Sequence, residues 1–479
     1  STIVDSDFTK VTSVETLSLT GASTVTLDTA AQLAGISNVI AGSGSTSITN
    51  NTANTVNVDA SAMPDGASLT LSGSGSFVVT GVKADVINTA MGSLVVTLDG
   101  QAGAVGLTVN SSGASSVVVN TGTFNFQDTL TLAGTDTITV NVDLVTNVVT
   151  GTANSIFNIA LSGEAGINAA ATPDNNSIVI TGSGNAFITG LIADLDASAS
   201  TGSIEVTALG DTQVITTGAG ADVIDAGAGD DTVIAGGGND VIRGGLGVDS
   251  ITGDTGDNVY VVVGSLDAAD SAKYANFNGS VVVNGVSIDV SKVVSLAELT
   301  ANKMIDDVET GEMISNFGVN DRIVVFGTTD LTKINGGGPI PADIIVNSTV
   351  TVDFSQLVTG STQIAGGLIT GMDTLSKLII LNVPSNGVVN LAQFSFADIE
   401  TVVLEAAAGQ TLENTQVVFS EEFLAVMPAP QVFVKLVGGA EIAAVPGMNI
   451  GSVYDDGNFQ MAGDGGEQLD GTSEDDVLI

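Results

Sequence analysis

From Ser1 to about residue 205, apolar side chains alternate with Thr, Ser and Asn in short runs. Examples are Thr16-Leu17-Ser18-Leu19, Thr55-Val56-Asn57-Val58, Ser68-Leu69-Thr70-Leu71, Ser116-Val117-Val118-Val119 and Thr137-Ile138-Thr139-Val140. A period of two places every second side chain on one face of an extended chain, and Val, Ile and Thr favour that conformation. Turns rich in Gly, Asn, Asp or Ser separate the runs every eight to fifteen residues or so, a spacing that suits a β-sandwich or an irregular β-solenoid. The brevity of the strands and the absence of Asn-Gly hairpin turns from this region favour the solenoid, with the sandwich as the alternative.

Between Gly218 and Val261 the period changes from two to nine. The first two units read Thr217-Gly218-Ala219-Gly220-Ala221-Asp222-Val223-Ile224-Asp225 and Ala226-Gly227-Ala228-Gly229-Asp230-Asp231-Thr232-Val233-Ile234. The register continues through Gly236, Gly238 and Asp240, then Gly245, Gly247 and Asp249, and ends at Asn258. Two places after each acidic or amide slot stands one large apolar residue: Ile224, Val233, Ile242, Ile251 and Tyr260. Glycines permit positive φ and let backbone carbonyls converge, and the triplet after the slot is a minimal strand that buries one side chain. If two nonapeptides make one coil, Asp222 stacks over Asp240, Asp231 over Asp249, and Asp240 over Asn258. Stacked carboxylates repel unless a cation intervenes, and hard oxygen donors at this density select calcium. The neutral Asn258 predicts a weaker or incomplete last site.

This Gly-Gly-x-Gly-x-Asp-x-apolar-x run resembles the repeats of the RTX family, calcium-binding proteins exported by bacterial type I secretion. The resemblance implies a parallel β-roll, calcium-triggered folding after export in an unfolded state, and about three ions over 218–261. Its candidate ligands are Gly218, Gly220, Asp222, Gly227, Gly229, Asp231, Gly236, Gly238, Asp240, Gly245, Gly247, Asp249 and Asn258. Enzymes, toxins, adhesins and surface-layer proteins all carry such repeats, so the activity outside the cell must be sought in the rest of the chain.

Downstream, Val281-Val282-Val283-Asn284-Gly285-Val286-Ser287-Ile288 predicts a hairpin with a type I′ turn, and Ser295-Leu296-Ala297-Glu298 a capping box opening a helix that includes Leu299, Met304 and Ile305. The segment Ile314-Ser315-Asn316-Phe317-Gly318-Val319-Asn320-Asp321-Arg322-Ile323-Val324-Val325 is similar to the segment that closes many RTX rolls. It is expected to cap the open end with Phe317, Ile323 and Val325 buried, and Asn320 replaces the usual glycine. The expected organisation is thus a solenoid-like region over 1–205, a roll over 206–262, a capping segment over 263–334 and a second β-rich region over 335–465. Residues 466–479 read as the start of a further RTX block. Val14-Glu15-Thr16-Leu17-Ser18-Leu19 is echoed by Ile399-Glu400-Thr401-Val402-Val403-Leu404, two strands of like pattern or the marks of a duplicated module. The opening residues carry no signal-peptide pattern, and the chain is expected to be a piece of something larger, with a secretion signal beyond Ile479.

Composition narrows the chemistry. The 479 residues carry 10 basic and 53 acidic side chains, a formal charge of −43, and no His, Cys or Trp. That charge excludes nucleic acid as a partner and predicts a calcium-free chain that repels itself. No apolar run reaches the roughly 18 residues of a membrane-spanning helix. Without histidine there is no Ser-His-Asp triad and no His-Glu-x-x-His zinc site. A carboxylate-pair glycosidase is the remaining enzymatic reading, with Glu298, Asp306, Asp307, Glu309 and Glu312 as its acids. Helical spacing would set Asp306 and Glu309 on adjacent faces, equally a solvated helix surface or an extra cation site. With no Trp and 3 Tyr, carbohydrate platforms are scarce. The profile favours a non-enzymatic, self-assembling surface-layer or filament subunit, with a module of a large RTX adhesin as the alternative. Cell-surface polysaccharide and lipopolysaccharide are partners suggested by analogy with surface-layer proteins.

Overall fold

A computed structural model describes residues 1–99, 106–121, 129–142, 146–150, 157–174, 176–266, 274–283, 286–301, 306–315 and 321–331. Beyond residue 331 it describes individual strands as far as Ala443. The chain divides into two compact units, Ser1–Asp222 and Val223–Ile479.

The first unit is a parallel β-solenoid, not a sandwich: successive strands alternate between two sheets, and each pairs in parallel with the strand one coil away. One inward column runs Val39, Val58, Val79, Val96, Val119, Val140, Ile159, Ile180 in direct register. Every member is at most 1% exposed. The period-two pattern dictates this, because each strand's even face meets the interior and each coil stacks like on like. Burying each such side chain contributes about 1.5–3 kcal/mol. At one corner buried polar groups bond to one another. Asn88 Nδ2 donates to Ser111 Oγ at 2.8 Å, and Ser111 Oγ donates to Asp136 at 2.8 Å. Gly134 allows the same corner to close, because at φ 110° a Cβ would fall on the Ser111 carbonyl. A short helix, Thr29–Ala34, ends at Gly35 in the left-handed region, and its first amides are held by Asp5, which accepts from Asp28, Ala30 and Ala31.

In the second unit the strands shrink to the triplets after each slot. Val223–Asp225 pairs with Val241–Arg243, which pairs with Val259–Val263, while Thr232–Ile234 pairs with Ser250–Thr252, all in parallel. The partners are eighteen residues apart, Ile224 on Ile242 and Val233 on Ile251, so two nonapeptides do make one coil.

The roll then pauses and resumes. Met313–Ser315 adds to Ser250–Thr252, with Ile314 on Ile251, and Arg322–Phe326 adds to Val259–Val263, with Ile323 on Tyr260. Ile323 and Val325 are fully buried; Phe317 lies outside the described residues. Arg322–Phe326 also pairs on its far side with Asp343–Val346, so this segment is a further coil inside the stack, with a neighbour on both edges. Strands continue through the expected second β-rich region, and the echoed Ile399–Ala406 is one of them, paired in parallel with Ser376–Val383.

Between the interrupted coils stands an inserted subdomain. Ser280–Val283 and Val286–Asp289 form the expected antiparallel hairpin, with Asn284 and Gly285 outside the described residues. The helix spans only Leu296–Leu299, capped by Ser295 Oγ accepting the Glu298 amide at 3.1 Å. Thr300 leaves the helical region, and Met304 and Ile305 lie outside the described residues. The insertion packs Tyr274, Val281, Val290, Val293, Val294 and Leu299 onto the outer side chains of the roll strands, Val259, Val261, Val263, Val324 and Phe326. Tyr274 and Phe277 meet the Phe326 ring edge-on, at 5.7 and 5.4 Å. This explains why Val259–Val263 is apolar at consecutive positions: it is covered on both faces.

Candidate metal centre

The slot side chains point inward. Asp222, Asp231, Asp240, Asp249 and Asn258 are at most 1% exposed. One hydrogen bond recurs up the stack: a slot residue's backbone N–H donates to the side-chain oxygen of the slot residue one coil later. Asp231 N–H reaches Asp249 Oδ1 at 2.8 Å, and Asp240 N–H reaches Asn258 Oδ1 at 3.1 Å. In the first unit the amide in this role belongs to Ile204, which donates to Asp222 Oδ1 at 2.7 Å. These carboxylates therefore do not simply face their neighbours; Asp222 and Asp249 each spend one oxygen on the backbone of the coil before.

The remaining oxygen carries the interest. Asp249 Oδ2 is buried and has no hydrogen-bond partner among the described residues. It lies against Gly244, where any Cβ would strike it. Burial, before any other influence, pushes Asp249 up to about 6; the Asp231 amide pulls it down, and Asp307, Asp230 and Glu309 push it further up. Asp222 is raised too, by burial, against bonds from the Ile204 amide, the Thr217 side chain and the Gly218 amide. Buried anions with an uncommitted oxygen are the donor chemistry a hard cation requires. Asn258 differs, because with Oδ1 engaged its orphan atom is Nδ2, a donor that cannot ligate a metal.

The glycine slots let the turns of successive coils approach closely. Gly227, Gly229, Gly236, Gly238, Gly245 and Gly247 all have positive φ. Between coils the spacing admits no side chain: a Cβ on Gly247 would overlap the Gly229 carbonyl, and one on Gly245 the Gly227 carbonyl. Gly218 and Gly220 come equally close to the carbonyls of Ser200 and Gly202. Among the described residues no three carboxylates converge closely enough to hold a metal by themselves.

A profile of the RTX calcium-binding nonapeptide repeat matches residues 208–242 and 227–260, four copies in all. The chain carries RTX calcium-binding repeats. Repeats of this kind indicate calcium binding and are typical of secreted proteins. No curated protein and no solved structure matches the chain. Among the described residues no helix is long and apolar enough to cross a membrane.

The match begins ten residues before Gly218, and the structure agrees with that earlier start. Gln213, nine positions before Asp222, is fully buried, with Ile215 buried two places on. Three further features escaped sequence reasoning. Asp230 and Asn239, one place before the slot, form a second ladder, accepting the amides of Val248 and Asp257 at 2.9 and 3.0 Å. Glu312 and Asp321 occupy slots in the resumed coil: Asp249 N–H donates to Glu312 Oε2 at 3.2 Å, and Asn258 N–H to Asp321 Oδ1 at 2.8 Å. The signal was present, since Glu312 and Asp321 are nine apart, each two places before an Ile, but without the glycines it does not stand out.

The third is Arg243, the single basic residue between Gly218 and Val261. Its side chain is 7% exposed and binds two acids of the insertion, Nε to Asp307 at 2.8 Å and Nη2 to Glu298 at 2.6 Å. Nη1 donates to Glu298 at 2.9 Å and to the Val293 carbonyl at 2.8 Å. The cluster Glu298, Asp306, Asp307, Glu309 and Glu312 is therefore no solvated helix face. Asp306 lies in a non-helical segment, where it accepts the Thr329 hydroxyl at 2.7 Å and the Val308 amide at 3.0 Å. Asp307 and Glu312 are 4% exposed.

Proposed function

We propose that this chain is a calcium-set structural segment of an extracellular, self-assembling protein, a surface-layer or filament subunit exported by type I secretion. The observation that carries the reading is the ladder of buried slot carboxylates inside a solenoid. At neutral pH such a stack costs free energy as an empty fold and is stabilised when a divalent cation binds. In this reading Asp222, Asp231, Asp240 and Asp249 supply side-chain oxygens. Gly218, Gly220, Gly227, Gly229, Gly236, Gly238, Gly245 and Gly247 supply the close turns and their carbonyls. Asn258 marks the weakest position. The ions, about three over the glycine-rich run, make folding conditional on calcium outside the cell. The protein is read as non-enzymatic, because its buried acids are engaged in backbone ladders and an arginine pair. The long stacked solenoid is suited to presenting repeated surface to copies of itself or to cell-surface polysaccharide.

Electron microscopy of the purified protein in millimolar calcium and in chelator tests the proposal. Ordered sheets or fibres that form with calcium and dissolve in chelator are expected. Dispersed monomers in calcium would overturn the assembly reading and favour the module of a large adhesin.

A further inference from the structure

The insertion hides one more slot. The slot bond from Asp231 to Asp249 spans 18 residues, whereas the equivalent bond from Asp249 to Glu312 spans 63, so 45 residues are looped out before the coil resumes. We propose that Glu312, returned by this loop to the position above Asp249, completes a calcium site with Asp249 that neither the nonapeptide pattern nor the family match marks. The proposal rests on the calcium reading of the roll.

Register places Glu312 in the role. Its Oε2 accepts the Asp249 amide as Asp249 Oδ1 accepts that of Asp231, and Ile314, two places on, stacks on Ile251 as slot register requires. A second observation points independently to a ligand: Asp249 Oδ2 is buried with no hydrogen-bond partner among the described residues. It lies against Gly244, and Gly244 lines a small cavity of about 10 Å³ whose polar members are Tyr260, Asp307 and Glu312 and whose other walls are apolar, Ile242, Ile251 and Ile314 among them. That is room for a single water or ion. Asp307 is already held by Arg243, leaving Asp249 and Glu312 as the acids available to a cation. Two buried carboxylates one coil apart repel, and each burdens the other until a hard divalent ion sits with them.

The test is calcium stoichiometry on the folded chain, measured by equilibrium dialysis with elemental analysis, for the native protein, Glu312→Gln and Asp249→Asn. Glu312→Gln keeps shape and an acceptor oxygen for the Asp249 amide. It is expected to lose one ion, and Asp249→Asn two, because Asp249 serves the sites on both sides. Native stoichiometry in Glu312→Gln alongside a loss in Asp249→Asn would overturn this site while leaving the calcium reading of the roll intact. Native stoichiometry in both would overturn this site as well, whereas no bound calcium in the native chain would overturn the calcium reading itself. As a second readout, terbium bound in the cavity lies beside Tyr260, and its tyrosine-excited luminescence should fall at least twofold in Glu312→Gln. Glu312→Asp keeps the charge and should keep the ion with at least tenfold weaker affinity; binding in Glu312→Asp equal to that in Glu312→Gln would also refute the role of the carboxylate.

Discussion

Arg243 ties the insertion to the roll, and replacing it with Met should release the insertion. The guanidinium makes five hydrogen bonds, two to Asp307, two to Glu298 and one to the Val293 carbonyl. In Arg243→Met, Asp307 keeps its Val263 amide at 3.0 Å but loses its counter-charge at 4% exposure. Asp225, paired across the coil with Arg243, sits near 6; burial raises it most, Arg243 lowers it, and Glu298 and Asp307 raise it. Without the arginine all three acids push against one another. Removing one partner of a buried pair costs about 3–5 kcal/mol, and each 1.4 kcal/mol is tenfold in an opening equilibrium. Amide exchange across the hairpin 280–289 and the helix 296–299 should therefore accelerate by roughly a hundred- to several-thousand-fold. Hydrogen exchange read by mass spectrometry at pH 7.5 in calcium measures this. Arg243→Lys should recover only part of the protection, since an ammonium cannot make two forked pairs. The triple variant Arg243→Met, Asp307→Asn, Glu298→Gln should recover most of it, because the penalty lies in uncompensated charge. Exchange within threefold of native in Arg243→Met would refute the reasoning and leave apolar packing as the whole tie.

Two further outcomes follow from the slots. Asp249 near 6 and Glu312 near 8 both lie above ordinary carboxylate values, burial being the largest cause in each. A raised folded pKa gives stability that is full below the unfolded value of about 4 and lost as pH rises through the folded one, about 2–3 kcal/mol for Asp249 alone. In chelator the melting midpoint should fall between pH 5 and 9, whereas millimolar calcium should flatten or reverse the trend; a chelator midpoint rising with pH would contradict it. Asp254 holds a turn position that is glycine in the preceding units and sits at φ 57°. Asp254→Gly should stabilise the roll by about 0.5–1 kcal/mol in urea titrations, and Asp254→Ala, which removes the same charge, should destabilise it. Equal shifts in the two variants would show that charge, not backbone, decides.

The solenoid was legible because its signal is local and repeated. Alternation such as Thr137-Ile138-Thr139-Val140 states which side chains face in. Short strands without tight hairpin turns leave parallel stacking as the way to bury them. The nine-residue spacing likewise set the coil, since Ile224 on Ile242 follows from counting. The helix starts at the expected capping box and ends at Leu299, because such a box starts a helix but does not sustain one; Met304 and Ile305 lie outside the described residues.

The sequence by itself determined the coil, the inward residues and the calcium-binding type of the repeats, because each depends on spacing within some eighteen residues. Only the tertiary structure decided that Glu312 and Asp321 belong to the slot ladder and that Arg243 serves the insertion. It alone revealed that Asp222, Asp249, Glu312 and Asp321 each give one oxygen to a backbone amide. These pairings cross 63 residues for the ladder and 55 to 64 for the arginine. A separation of that length is invisible to periodicity, because it is set by how the insertion packs its apolar residues onto the roll strands.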